Sequence, residues 1–277
     1  MQNSLKRPGT AGPPGNDLEH SPDCTMNAMF TIEHRALIRS EILEKASHDG
    51  RISGAAITGS GAAGTEDRWS DIDLAFALAD GVELVPTLNE WTTYMYTEHS
   101  AIHHLDVPSG AWLYRVFLLP GTLQVDLAFV PAAEFRPLAP TFRLVFGSAH
   151  EARPLPAPSA GDLIGLGWLY ALHARSCIAR GRLWQAEYMV TGVRSHALAL
   201  ACIRHGLPAD HGRGTDRLPP EVAARFDRAL VGRLEAEEVA RAFQVVMDGF
   251  IGEVRHADEA LAERLQDTAS LLKQSAG

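Results

Sequence analysis

The hydrophobic pattern of this chain changes period between residues 150 and 160, and this change narrows the folds that the chain can adopt. Several segments of the first half alternate apolar and polar residues, which is typical of half-buried β-strands. In the second half, apolar residues recur at helical spacing. We therefore expect an α+β protein, with a mixed sheet and flanking helices in residues 29–153 and a helical bundle in residues 154–277. Residues 1–28 are polar and rich in Pro and Gly, and we expect them to form a disordered leader.

Composition and charge argue against several classes of protein. The 277 residues are 46% hydrophobic and 21% charged, which is typical of a globular protein. No apolar run approaches the roughly 20 residues of a membrane-spanning helix, and no secretory signal is visible at the start, so we expect a cytoplasmic protein without a membrane partner. The net charge of -9 disfavours nucleic acid as a partner. The three cysteines lack metal-type spacing, which indicates free thiols.

The periodicity also predicts the individual elements. The predicted strands are 54–58, 71–78, 112–119, 123–130 and 142–146, with a hairpin turn at Pro120-Gly121-Thr122. The predicted helices are 32–47, one beginning after Ser159 and ending near Gly181, 184–205, 220–230, and 235–273 with a break near His256.

Two of the predicted strands carry carboxylates on their polar faces. Asp71 and Asp73 are two residues apart on one strand, so their side chains project from the same face and repel each other unless a cation lies between them. Mg2+ prefers oxygen ligands and is commonly bound by one or two carboxylates together with substrate phosphates. The pair therefore predicts a Mg2+ site, to which Asp126 adds a third carboxylate if its strand lies beside theirs.

The segment that begins at Gly59 and Ser60 is suited to binding phosphate. It directly follows the strand predicted at 54–58, and residues 61–64 have almost no side-chain bulk. In such a strand-to-helix turn, backbone N–H groups can approach phosphate oxygens, and the Ser60 hydroxyl is an additional donor. Adjacent phosphate and metal sites together indicate metal-assisted phosphoryl transfer.

These residues resemble the signature of a known superfamily. Gly59-Ser60, ten intervening residues, the Asp-x-Asp-Leu motif at 71–74 and the later Asp126 are similar to the motif of the polymerase-beta-type nucleotidyltransferases. An α/β half followed by helices further resembles the small-molecule adenylyltransferases that inactivate aminoglycoside or lincosamide antibiotics. The resemblance extends over about residues 30–255. Many members have a basic residue where this chain has Ala63.

The resemblance implies roles for single residues. It assigns the phosphates of a nucleoside triphosphate, with ATP expected, to Gly59 and Ser60, and the metal to Asp71, Asp73 and Asp126. In some members the third carboxylate is a metal ligand and in others it is the general base. Other members have a glutamate base in the helical domain, for which Glu187 is the candidate. An ion pair of Glu187 with Arg194 is the alternative interpretation.

The expected reaction is the transfer of a nucleoside monophosphate, AMP from ATP, to a hydroxyl of a small molecule, with release of pyrophosphate. Two alternatives remain open at this stage: an enzyme that nucleotidylates RNA or protein, and a nucleotide-binding regulator without turnover. The oligomeric state is also open, and the helical half offers a surface for a homodimer.

Several other conspicuous residues have plainer interpretations. We expect His103, His104 and Asp106 in a loop or at the rim of the substrate site, because neighbouring strand residues point to opposite faces. His173 and Cys177 continue an apolar stripe with Leu166 and Leu169 and should pack between helices. The aromatic residues expected in the core are Trp168, Tyr170, Trp184 and Tyr188.

Overall fold

A computed structural model describes residues 29–154 and 156–274 of the chain. The chain divides into two compact units, residues 1–155 and 156–277. The disordered leader predicted at 1–28 lies outside the described residues. None of the described helices combines the length and the apolar character needed to cross a bilayer.

The N-terminal unit is a mixed sheet with flanking helices. Its helices are α1 (Ile32–His48), α2 (Gly59–Ala63) and α3 (Leu84–Glu98), and its strands are β1 (Ile52–Thr58), β2 (Ile72–Leu78), β3 (His103–Ser109), β4 (Trp112–Leu118), β5 (Gln124–Pro131) and β6 (Phe142–Phe146). Across the six-stranded sheet, the order is β3-β4-β5-β2-β1-β6. β2 and β5 run parallel, and the other neighbouring strands of the described sheet are antiparallel.

Side-chain size differs between the two faces of this sheet. On one face, Leu74 and Phe76 of β2 pack in a buried cluster with Ile42 of α1 and Trp91 of α3. On the other face, the central strands carry mostly alanine, such as Ala75. The strict alternation in the sequence therefore marks which face of β2 and β5 receives the helices.

Two elements were not predicted from the sequence. The sequence pattern does not predict α3, and the prediction of a loop around His103, His104 and Asp106 is wrong, because β3 occupies these positions. The alternative, that these residues lie at the rim of the substrate site, stays a prediction. β3 is an edge strand that pairs with β4, and most of its residues are exposed, so its apolar alternation is weak. Asp106 accepts two hydrogen bonds from the Arg115 guanidinium, each 2.7 Å long, which explains an acidic residue within a strand.

The C-terminal unit is helical, as predicted. Its helices are α4 (Ala160–Ala179), α5 (Leu183–Arg204), α6 (Pro220–Asp227), α7 (Ala236–Ala257) and α8 (Glu259–Gln274). The Ser159 hydroxyl accepts a hydrogen bond from the Asp162 N–H and so caps α4. The predicted break near His256 coincides with the end of α7. These assignments confirm an α+β fold with a C-terminal helical region.

α4 packs against its neighbours partly through small residues. The buried face of α4 contains Gly167, Ala171 and Ala174, together with Cys177. Small side chains let helices approach closely, so the contact face is not the face with the largest apolar residues. For this reason the predicted stripe through Leu166, Leu169 and His173 was wrong, since all three residues are exposed.

The aromatic residues that were expected in the core are largely outside it. Trp184 is 80% exposed, Tyr188 is 63% exposed and Trp168 is 41% exposed. On α5, the buried positions Ala186 and Val190 lie on a different side of the helix from Trp184 and Tyr188. Tyr170 is partly buried and packs against the core cluster of the unit.

Gly167 provides a test of the close packing in this unit. A Cβ atom at Gly167 would lie 2.3 Å from a ring carbon of the buried Phe250. We therefore expect Gly167→Ala to lower the free energy of unfolding by about 1–3 kcal/mol. Urea unfolding followed by far-UV circular dichroism measures the change.

The matched control is Gly165→Ala on the same helix, where a Cβ has no neighbour within 4 Å. This substitution should stabilise the protein by roughly 0.5–1 kcal/mol, because alanine favours a helix interior. Equal effects of the two substitutions would show that the proposed helix contact does not exist.

Candidate functional site

The sheet brings three carboxylates together. Asp71 immediately precedes β2, Asp73 lies on β2, and the parallel register places Asp73 directly opposite Asp126 of β5. One carboxylate oxygen from each residue lies within 4.8 Å of the other two, and all three residues are half-buried. We call these three residues the acidic triad. Its assembly agrees with the polar faces predicted for the two strands, while its role as a metal site stays a prediction.

The electrostatics of the triad favour a bound cation. Burial raises the pKa of Asp126 to about 6, and the negative charge of Asp71 acts in the same direction, against a hydrogen bond from Gln124. Burial also raises the pKa of Tyr114, with a smaller contribution from Asp73. A divalent cation among the three oxygens would offset this repulsion. A half-buried set of carboxylate oxygens is the ligand type that Mg2+ prefers, so the residues fit that metal.

Gln124 is a site residue that the sequence reasoning missed. Its side-chain amide donates a hydrogen bond of 2.9 Å to Oδ1 of Asp126. Gln124 and Asp126 are two residues apart on one strand, so their side chains lie on the same face of the sheet. This spacing is the feature of the sequence that could have identified Gln124 as a site residue. The bond leaves Oδ2 of Asp126 as the oxygen that this amide does not engage.

Gly59 lets the chain approach the triad closely. It has φ of +59°, in the left-handed region. A Cβ atom at this position would lie 2.0 Å from Oδ2 of Asp73. Glycine is therefore required here both by the backbone conformation and by the position of the Asp73 carboxylate.

Ser60 belongs to the short helix that follows β1. α2 has five residues, and Gly64, which follows it as the C-cap, has φ of +67°. The Ser60 carbonyl accepts hydrogen bonds from the N–H groups of Gly64 and Thr65, which closes the turn. The predicted strand-to-helix turn is present, and phosphate binding by Gly59 and Ser60 remains a prediction.

Glu187 lies on α5 in the C-terminal unit. Its Oε1 accepts a hydrogen bond of 2.8 Å from the Thr191 hydroxyl. The same Thr191 oxygen accepts a bond of 3.0 Å from Arg194. Glu187 thus connects to Arg194 through a threonine, which accounts for its position without a catalytic role. The role of Glu187 as a general base stays a prediction.

The cross-strand row that leads from Asp126 to the edge of the sheet is apolar. The residue opposite Asp126 on β4 is Val116, and the residue opposite Val116 on β3 is Leu105. Cross-strand partners share a face, so these side chains continue one row from the triad toward the edge of the sheet. Leu105 is 53% exposed. No cation belongs to this row within the described sheet.

A distant likeness to known proteins is found among solved structures. No family model matches the sequence, and no curated protein matches it. Among solved structures, the fold is similar to that of an aminoglycoside 6-adenyltransferase from Bacillus subtilis, with a TM-score of 0.39 and 15% sequence identity. The likeness covers 83% of this chain and 95% of that protein.

Gly59→Ala tests the close approach of the backbone to Asp73. The added Cβ collides with the Asp73 carboxylate and must displace it, so we expect Mn2+ affinity to fall at least about tenfold. The left-handed φ adds a cost in stability of roughly 1–2 kcal/mol. Electron paramagnetic resonance measures Mn2+ binding, and far-UV circular dichroism monitors the fold.

Gly64→Ala is the matched control for this experiment. Gly64 also has positive φ, but a Cβ there has no neighbour within 4 Å. The control should therefore lose similar stability and keep its Mn2+ affinity. If both variants bind Mn2+ as the wild type does, the Asp73 carboxylate is not a metal ligand.

The raised pKa of Asp126 predicts how stability depends on pH without metal. The folded pKa of about 6 exceeds the reference value of 3.8, so the folded state binds more protons between these values. The contribution of Asp126 to the free energy of unfolding therefore falls as pH rises from about 4 through about 6. Asp126→Asn removes the buried charge, and at pH 7 it should raise Tm by about 2–4 °C, equivalent to about 1 kcal/mol. Below pH 4 the difference should vanish.

Asp106→Asn is a control with the opposite sign. A hydrogen bond from Arg115 lowers the pKa of Asp106, so its charge stabilises the folded state. This variant should have a lower Tm than the wild type at pH 7. A lower Tm for Asp126→Asn as well would contradict the unfavourable burial of the Asp126 charge.

Proposed function

We propose that this protein is a Mg2+-dependent nucleotidyltransferase that transfers AMP from ATP to a hydroxyl of a small molecule and releases pyrophosphate. The observation that carries the proposal is the convergence of Asp71, Asp73 and Asp126 beside the glycine turn at Gly59. Three half-buried carboxylates close together repel one another when no cation is bound. The same arrangement is suited to binding a metal ion together with a triphosphate.

We assign the following roles to the site residues. Asp71, Asp73 and Asp126 would hold one or two Mg2+ ions, which supply charge neutralisation for the attacking and leaving oxygens when bound. The N–H groups around Gly59 and the Ser60 hydroxyl would hold the triphosphate. The acceptor oxygen then forms a bond to the α-phosphorus, the bond from that phosphorus to the bridging oxygen breaks, and pyrophosphate leaves.

The proton of the acceptor hydroxyl needs a base. Asp126 has a pKa near 6 and can accept a proton at neutral pH if one of its oxygens is not bound to metal. Glu187 is the alternative that the sequence resemblance suggests. Glu187→Gln distinguishes the two residues: it should lose turnover and retain Mn2+ binding if Glu187 is the base, and it should keep turnover if Asp126 is the base. Asp126→Asn should lose turnover and Mn2+ binding in either case, because Asp126 belongs to the triad.

The apolar row beside the triad supports a small-molecule acceptor. A nucleic acid acceptor would require basic side chains near the reacting phosphorus. The row that leads from Asp126 across β4 and β3 contains Val116 and Leu105 instead. With the net charge of -9, this favours a small molecule over RNA. Within small molecules, antibiotics of the aminoglycoside and lincosamide types are the acceptors that the sequence resemblance suggests.

The decisive assay measures pyrophosphate release from ATP and Mg2+ across a panel of aminoglycosides and lincosamides. Asp71→Ala and Asp73→Asn should lower the rate roughly 10²-fold or more, since each removes charge stabilisation of the transition state. The matched control is Asp80→Asn, an exposed carboxylate just beyond the other end of β2, which should keep full activity. An unchanged rate in the two triad variants would refute the metal assignment.

The same assay separates the alternatives. Binding of ATP and Mg2+ without pyrophosphate release from any acceptor would support a regulator. Transfer of labelled AMP to RNA or protein, in preference to the panel, would support a macromolecular acceptor. Either result would replace the proposed reaction.

A further inference from the structure

Arg35 occupies a position on α1 where a charged residue is unusual. The helix buries one face through Ile38, Ile42 and Ala46, and Arg35 continues this face one turn earlier. Only 2% of its surface is exposed. A guanidinium at this depth needs partners, because an unpaired buried charge strongly destabilises a fold.

The partners of Arg35 are two backbone carbonyls of one turn. Its Nη1 donates to the Asp67 carbonyl at 2.5 Å and to the Ser70 carbonyl at 2.9 Å. Its Nε lies 3.5 Å from a carboxylate oxygen of Glu66. The guanidinium therefore connects α1 to both ends of the segment 67–70.

This segment is itself closed by local hydrogen bonds. The Asp67 carboxylate accepts from the Trp69 N–H, and the Ser70 hydroxyl accepts from the Asp67 N–H. The Ser70 N–H donates to the Asp67 carbonyl at 3.3 Å. Because these bonds restrain the turn, the bonds from Arg35 to its two end carbonyls also restrain the direction in which the chain leaves Ser70.

The residue after Ser70 is Asp71, the first member of the acidic triad. The Ser70 carbonyl belongs to the peptide group that joins Ser70 to Asp71, and that group is planar. A bond to this carbonyl thus restrains the backbone of Asp71. Asp73 and Asp126 are positioned by strands that pair with each other, whereas Asp71 lies just before β2 begins.

We propose that Arg35 is a positioning residue for the metal site, which holds Asp71 in place through the Ser70 carbonyl. The inference rests on the proposed function only in that the triad binds a metal. Outer residues that orient metal ligands typically change metal affinity 10- to 100-fold when they are removed. Arg35 acts through a backbone carbonyl.

The test compares Mn2+ affinities of the full-length protein by electron paramagnetic resonance. Arg35→Met retains the volume and removes the donors, and it should weaken Mn2+ binding about 10- to 100-fold. Arg35→Lys retains the charge without the planar fork, and it should weaken Mn2+ binding by an intermediate factor. If Arg35→Met fails to fold, the lysine variant decides the result.

The matched control is Arg39→Met, one helical turn further along α1. Arg39 binds Glu66 through Nη1 at 2.5 Å and has no bond to the carbonyls of Asp67 or Ser70 in the described structure. The Mn2+ affinity of Arg39→Met should stay within about threefold of that of the wild type. An equal loss in Arg39→Met and Arg35→Met would overturn the inference, because the charges around Glu66 would then be responsible.

The outcome for the wild type separates this inference from the proposed function. If the wild type binds Mn2+ and the folded Arg35 variants bind it equally well, only the role of Arg35 is refuted. If the wild type binds no Mn2+, the metal site and the proposed reaction are refuted together. Thermal unfolding of each variant without metal shows whether the loss of affinity accompanies a loss of fold.

Discussion

The parallel pairing of β2 with β5 is the interaction on which the candidate site depends. Seven consecutive residue pairs join the two strands, and the second of these pairs is Asp73 with Asp126. Like charges directly opposite each other weaken a sheet. The ladder of backbone hydrogen bonds, together with the apolar pair Leu74 and Leu127 on the other face, holds the carboxylates together against this repulsion. The repulsion between these carboxylates lowers the stability of the fold locally, and such local destabilisation is typical of functional sites.

Each member of the triad is supported by a different element. Gly59, at the end of β1, leaves space for the Asp73 carboxylate. Gln124 on β5 holds one oxygen of Asp126. Arg35 reaches the chain next to Asp71 from α1. The geometry of the site therefore depends on the packing of the whole N-terminal unit, even though its signature occupies a short stretch of sequence.

Much of this unit could be predicted because β2 and β5 alternate strictly, and period-two patterns identify both a strand and its buried face. The convergence of Asp126 with Asp73 followed once the two strands were taken as neighbours. Arg35 could not be predicted as buried, since its partners are backbone carbonyls that have no signal in the sequence. β3 was missed because an edge strand needs no apolar face. In the helical unit, the prediction that Trp184 is buried was wrong, because the buried face of α5 consists mainly of alanine and valine. Side-chain size was therefore a poor guide to burial on this helix.

The connection from β2 to β5 contains α3, β3 and β4, yet it does not determine the distance between Asp73 and Asp126, because the strands pair directly. Extra residues at the tip of the β3–β4 hairpin, around Gly110, would leave the triad undisturbed. One extra residue inside β5 ahead of Asp126 would instead rotate that carboxylate to the opposite side of the sheet. Proteins that share this architecture are thus free to diverge in length at the hairpin, while the two central strands must keep an invariant count.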